Sequence, residues 1–165
     1  METLTNLKLK KRRVLEIHAI VEQFGKEKLD VCFAYALAKN KALLEKEVTA
    51  LRTAGKWLDD FAEYDKQRLD LCRLHAKKDE NNLPMAKMNM FIIADQVKFD
   101  KELDEIRKKY KKAITEQEKR DKDLEKILDE EVEVEFFPIR FSCLPKEIGQ
   151  DVMTILLPLV VEETG

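Results

Sequence analysis

The side chains that could carry chemistry are few and scattered. The chain contains Cys32, Cys72 and Cys143, and two histidines, His18 and His75. A zinc site needs Cys and His clustered at short spacings so that four ligands converge, and these five residues have no such spacing. His75 follows Cys72 by one helical turn, but two side chains do not complete a site. The cysteines are odd in number, far apart and set among apolar neighbours, which predicts small buried hydrophobes in a reducing compartment. Ser142 and Cys143 adjoin a predicted strand end with no histidine nearby in sequence to act as base, so neither reads as an activated nucleophile. The carboxylate pairs Asp59–Asp60 and Glu130–Glu131 fall on predicted solvent faces, without apolar walls to shift a pKa. Glycines at 25, 55, 149 and 165 are too dispersed to cradle a phosphate. The expectation is a non-enzyme with no catalytic, cofactor-binding or metal-binding residues and no cofactor.

Charge narrows the partners. Lys+Arg number 31 and Asp+Glu 33, so the formal net charge of −2 provides no global field for nucleic acid or an anionic membrane. The basic run "KLKKRR" at 8–13 lacks a following apolar segment and does not read as a secretory signal. The apolar run "VMTILLPLVV" at 152–161 is too short to span a bilayer and contains Pro158. Trp57, Tyr64 and Tyr110 could stack on bases, yet they lie on helical stripes that equally suit packing, and "RKKYKK" at 107–112 suits a charged helix face. Proteins are the expected partners, including a second copy of the chain. The candidate interaction surface is Trp57, Phe61, Tyr64, Tyr110, Lys108 and Lys109.

The elements that position these residues follow from periodicity. A length of 165 residues predicts one domain, 1–165. With 39% charged residues and few Gly or Pro, the composition is that of long solvated helices. Val14, Ile17, His18, Val21 and Phe24 predict a helix over 12–24, ended by Gly25 in a left-handed cap. Asp30 is the expected N-cap of a long helix over 30–78, in which Leu37, Leu44, Leu51 and Leu58 recur every seventh residue as in a coiled coil. Gly55 weakens that helix midway and marks a bend or close crossing. After the turn "KKDENNLP", the stretch 89–94 reads as a strand or crossover, and a second long helix covers 98–130, polar all round at 115–123. The two long helices pair as an antiparallel hairpin.

The segment "EEVEVEFFPIRF" at 130–141 alternates glutamate with Val132, Val134 and Phe136, then loses step. A bulge near Phe136–Phe137 or a bend at Pro138 would restore one face; alternatively, the strand crosses between two packing environments. Its partner should alternate and be basic, which selects "TNLKLKK" within a strand over 3–10. "NMFII" is the candidate third strand, and a helix over 145–157 closes the core. The expected class is α+β, mostly α: a long antiparallel helical hairpin with a small β-sheet formed by the N-terminal and C-terminal strands.

The order "VLEIHAIVEQF", "EKLDVCFAYALAKNKALLEKE", an acidic "KDENN" turn and "EEVEVEFFPI" resembles a family of small uncharacterised proteins of tailed bacteriophages and prophages. The resemblance covers roughly the first 80 residues and 129–145, and its most specific pieces are "AYALAKN" at 34–40 and the "EVEVE" strand. The charged stretch around 107–126 departs from it. The resemblance implies a phage origin and an accessory role, without an activity or site residues. With the heptads it leads to an expected virion or assembly component acting through protein–protein contacts, in the host cytoplasm or in the particle. An inhibitor of a host enzyme or defence system would use the same surfaces. A prefoldin-like holding chaperone would need exposed apolar tips on the hairpin.

Overall fold

The computed structural model describes residues 4–162. Their order is β1 (Thr5–Lys10), α1 (Lys11–Phe24), α2 (Val31–Ala54), α3 (Asp59–His75), β2 (Ala86–Lys87), β3 (Met90–Phe91), α4 (Gln96–Lys109), α5 (Lys111–Asp129), β4 (Glu131–Phe136), β5 (Ile139–Arg140), α6 (Gln150–Leu156) and β6 (Val160–Val161). The class is α+β and mostly α. The chain comprises two compact units, residues 56–123 and the remainder on either side.

In the larger unit, β1 and β4 pair antiparallel, with Lys8 opposite Glu133 and Lys10 opposite Glu131. The expected union of the N-terminal and C-terminal strands is therefore present; position 3 of the expected strand lies outside the described residues. Alternation places Leu7, Leu9, Val132 and Val134 against the core and the charges outward. The Lys8 ammonium reaches diagonally to Glu131 at 2.8 Å, and Lys10 reaches Asp129 at 3.4 Å. The core joins Val14, Ile17 and Val21 of α1 to Phe33, Leu37, Leu44 and Val48 of α2 and to Phe136, Ile139, Leu156 and Leu159. The heptad leucines Leu37 and Leu44 are thus spent on packing within the chain.

After Phe136 the strand does not return to its first face. β5 pairs in parallel with β6 instead, so the segment crosses between two environments, and both Phe136 and Ile139 are buried. Fully buried Asn40 spans the break: its Nδ2 donates to the Phe137 carbonyl and its Oδ1 accepts the Phe137 N–H, both at 2.8 Å. The side-chain amide satisfies backbone groups that Pro138 removes from a continuous ladder.

Several expectations are corrected. The helix over 30–78 is two helices, α2 and α3. The chain leaves α2 at Gly55, becomes extended at Leu58, and restarts where Asp59 and Asp60 meet the positive end of a new helix. The Leu58 N–H is taken by Gln117 Oε1 at 2.9 Å, which fixes the break. Leu58 itself lies beyond the end of α2. The helix over 98–130 is likewise α4 and α5, interrupted at Tyr110. Gly25 has φ −60°, not a left-handed value, because its N–H still donates to the Val21 carbonyl. Asp30 does occupy the N-cap position of α2, as expected, although its side chain makes no capping hydrogen bond. "NMFII" does not join the β1–β4 sheet: β3 pairs with β2 across a two-residue loop, a closure far shorter than a return to the termini. The final helix is only α6, beginning after Pro145 and Gly149, and the residues beyond it supply β6. Cys32 and Cys143 form a disulfide with Cα atoms 5.6 Å apart, leaving Cys72 as a free thiol, so the reading of three unpaired cysteines is overturned.

The smaller unit contains α3 and α4, the arms of a helical hairpin that pack through Leu71, Phe99 and Leu103, with Cys72, Ile93 and Ile106 around them. His75 Nε2 lies 2.9 Å from Glu102 Oε2 and ties the two helices. Asp95 caps α4 by accepting the Lys98 N–H. No helix among the described residues is long and apolar enough to cross a membrane.

Candidate interaction surface

The smaller unit brings the aromatic residues singled out by sequence into one run. Trp57 packs edge-on against Phe61 at 5.2 Å between ring centroids, Phe61 against Tyr64 at 5.6 Å, and Tyr64 against Tyr110 at 6.0 Å. Phe61 and Tyr64 share a face of α3 because they are three residues apart. Tyr110 enters from the other arm at the junction of α4 and α5, where Gln67 donates to its hydroxyl at 2.8 Å. Burial grades along the run: Tyr64 is 8% exposed and Trp57 50%. An indole left half in solvent at the end of a packed aromatic row suits an anchor for another surface.

Beside the run lies a groove of about 670 Å³, lined by Tyr64, Asp104, Arg107, Lys108, Lys111, Ile114, Thr115 and Glu118. Arg107 is drawn 3.5 Å from Asp104. Lys108 and Lys111 make no ion pair among the described residues. Lys109 points elsewhere, its ammonium 4.9 Å from the centroid of the Tyr110 ring. Of the six residues singled out by sequence, Trp57, Phe61, Tyr64 and Tyr110 form the row, Lys108 lines the groove, and Lys109 covers a ring.

Sequence reasoning missed Arg107 and Lys111 as groove residues, since one "RKKYKK" run reads as a uniform face. It also missed Gln117, which is 2% exposed inside the stretch that looks polar all round. The available signal was register: Gln117 falls four residues after buried Ala113 and seven before Leu124, on the same helical stripe. Its Nε2 donates to Asp121 while its Oε1 holds the Leu58 N–H, so it positions the segment carrying Trp57.

Other chemistry-bearing groups do not converge. In the larger unit His18 is 1% exposed, with Nδ1 3.6 Å from Glu22 and Nε2 3.5 Å from Glu45, contacts too long for hydrogen bonds. Glu22 is held below the ordinary carboxylate range, first by the hydrogen bond from Arg52. Among the described residues no three His, Cys, Asp or Glu side chains are placed to hold a metal ion. No family model matches the chain, and neither a curated protein nor a solved structure matches it.

Proposed function

We propose that this chain is a non-enzymatic bacteriophage protein that acts by binding another protein, as a virion or assembly component. The observation that carries the binding role is the aromatic row, which ends in half-exposed Trp57 and at Tyr64 meets a groove lined by Lys108 and Lys111, neither of them ion-paired among the described residues. An exposed aromatic on the same unit as a groove with three cations, Arg107, Lys108 and Lys111, against two carboxylates, Asp104 and Glu118, favours a partner that presents an apolar side chain and carboxylates. The phage setting rests on the sequence resemblance carried by "AYALAKN" and "EVEVE". In the fold, Asn40 of the first piece hydrogen-bonds Phe137, two residues after the second.

Quantitative mass spectrometry of purified particles, beside a tagged pull-down from infected cells, tests the proposal. Recovery in particles at fixed stoichiometry supports a component. Exclusion from particles with one enriched host protein would replace it by an inhibitor of a host enzyme or defence system. Absence of any partner in both would overturn the binding role.

A further inference from the structure

The β2–β3 hairpin of the smaller unit displays apolar side chains that nothing in that unit covers. Met88 is 85% exposed, Met90 69%, Leu83 59% and Met85 40%. Cross-strand register sorts the two faces: Ala86 pairs with Phe91 and Lys87 with Met90. Alternation then places Phe91 and Ile93 on the inner side, where Ile93 packs against Leu71, Phe99 and Leu103. Met85, Lys87 and Met90 take the outer side. Lys77 joins them from the segment after α3, because its N–H donates to the Ile92 carbonyl and its carbonyl accepts from Met85.

The tip is conformationally costly. Met88 and Asn89 occupy a two-residue loop with φ of 50° and 62°, values that glycine or asparagine adopts readily and methionine does not. Packing does not offset that cost, since the Met88 side chain stands in solvent. Two lysines, Lys77 and Lys87, share this outer face, and neither has an ion pair among the described residues. Of the neighbouring carboxylates, Asp79 accepts the N–H groups of Asn81 and Leu83 and Asp95 that of Lys98, whereas Glu80 makes no ion pair among the described residues. Methionine is flexible and polarizable and adapts to apolar partners of varied shape.

We infer that the outer face of the hairpin is a second docking surface of the protein-binding chain proposed above, and that its occupant is an acidic amphipathic segment of a partner protein. Charge complementarity selects the carboxylates and the exposed methionines select the apolar stripe. A lipid surface fits less well. The segment from 76 to 94 contains no Trp or Tyr to sit at a headgroup interface, and its one aromatic, Phe91, is on the inner face.

The test uses the full chain labelled at the methyl groups of its five methionines, each assigned by single Met→Leu replacement. It is titrated with a synthetic Leu/Glu amphipathic helical peptide, a Leu/Lys peptide of equal apolar content, and phosphatidylglycerol-containing vesicles. The expected result is saturable movement of Met85, Met88 and Met90 with the Leu/Glu peptide alone, with Met153 unmoved. Charge reversal by Lys77→Glu with Lys87→Glu is expected to weaken that binding at least tenfold while leaving the amide spectrum dispersed. Movement with vesicles but not with peptide would overturn the inference in favour of lipid, and no movement with any probe would overturn it outright. The Trp57 indole signal reads the exposed end of the aromatic row in the same titration. A response there with the methionines silent would overturn the hairpin surface while leaving the protein-binding reading intact. Methionine movement together with failure of the infected-cell experiment would do the reverse.

Discussion

At the scale of single residues, two buried amides hold the chain where its regular elements stop. Asn40 supplies a donor and an acceptor to Phe137, and Gln117 supplies an acceptor to Leu58. Asn40→Ala would leave the part-buried N–H and carbonyl of Phe137 without these partners. Each unmade bond of this kind costs about 1–3 kcal/mol, so the variant should lose roughly 2–4 kcal/mol in urea denaturation. A loss under about 0.5 kcal/mol would show that water or a shift of Phe137 replaces the clamp. Neither amide was legible as a clamp. A lone asparagine in "AYALAKN" gives no hint of a partner 97 positions away, whereas the opposed lysines and glutamates of β1 and β4 announced each other by alternation.

At the scale of elements, the β1–β4 ribbon is stitched by exposed ion pairs whose response to pH has a definite sign. The Lys8 hydrogen bond, then its charge, holds the Glu131 carboxyl below its ordinary value of 4.5, and the same pairing raises Lys8 above 10.5. A carboxylate depressed on folding contributes stability above its unfolded value and loses it as pH falls through the folded one; an amine raised on folding loses its contribution as pH rises. The ribbon should therefore weaken from about pH 4.5 downward and again above about 10.5. Thermal midpoints across pH should show a shallower acid limb in Glu131→Gln and in high salt, as exposed pairs are screened. An unchanged acid limb would remove the pair from the account. Helix existence was legible from apolar spacing, but the ends of helices were not. The breaks at Gly55–Leu58 and Tyr110 depend on Gln117 and on ring contacts from other elements, and the β2–β3 hairpin depends on left-handed residues at Met88–Asn89, where sequence favours Asn-Gly.

At the scale of the whole molecule, the Cys32–Cys143 disulfide closes a loop over a sequence separation of 111 and joins the start of α2 to the turn after β5. Chain-entropy arguments give such a long loop roughly 3–5 kcal/mol, so reduction by dithiothreitol, or Cys32→Ser, should lower the urea midpoint of the larger unit by a corresponding amount. Unchanged midpoints would mean that core packing alone fixes these elements. The pairing was hidden in the sequence because an odd cysteine number and wide spacing fit three separate thiols equally well. The candidate surface was more legible: Trp57, Phe61, Tyr64 and Tyr110 converge, although the groove cations Arg107 and Lys111 were concealed within a uniform basic run. The proposed function requires that this surface bind a protein. Its most direct test is quantitative recovery of co-purifying protein from infected cells by the wild-type chain and by Trp57→Ala with Lys108→Glu. At least a tenfold loss of one specific partner is expected in the double variant, with recovery unchanged in Glu133→Gln on the β1–β4 ribbon. Equal recovery by wild type and the groove variant would contradict it.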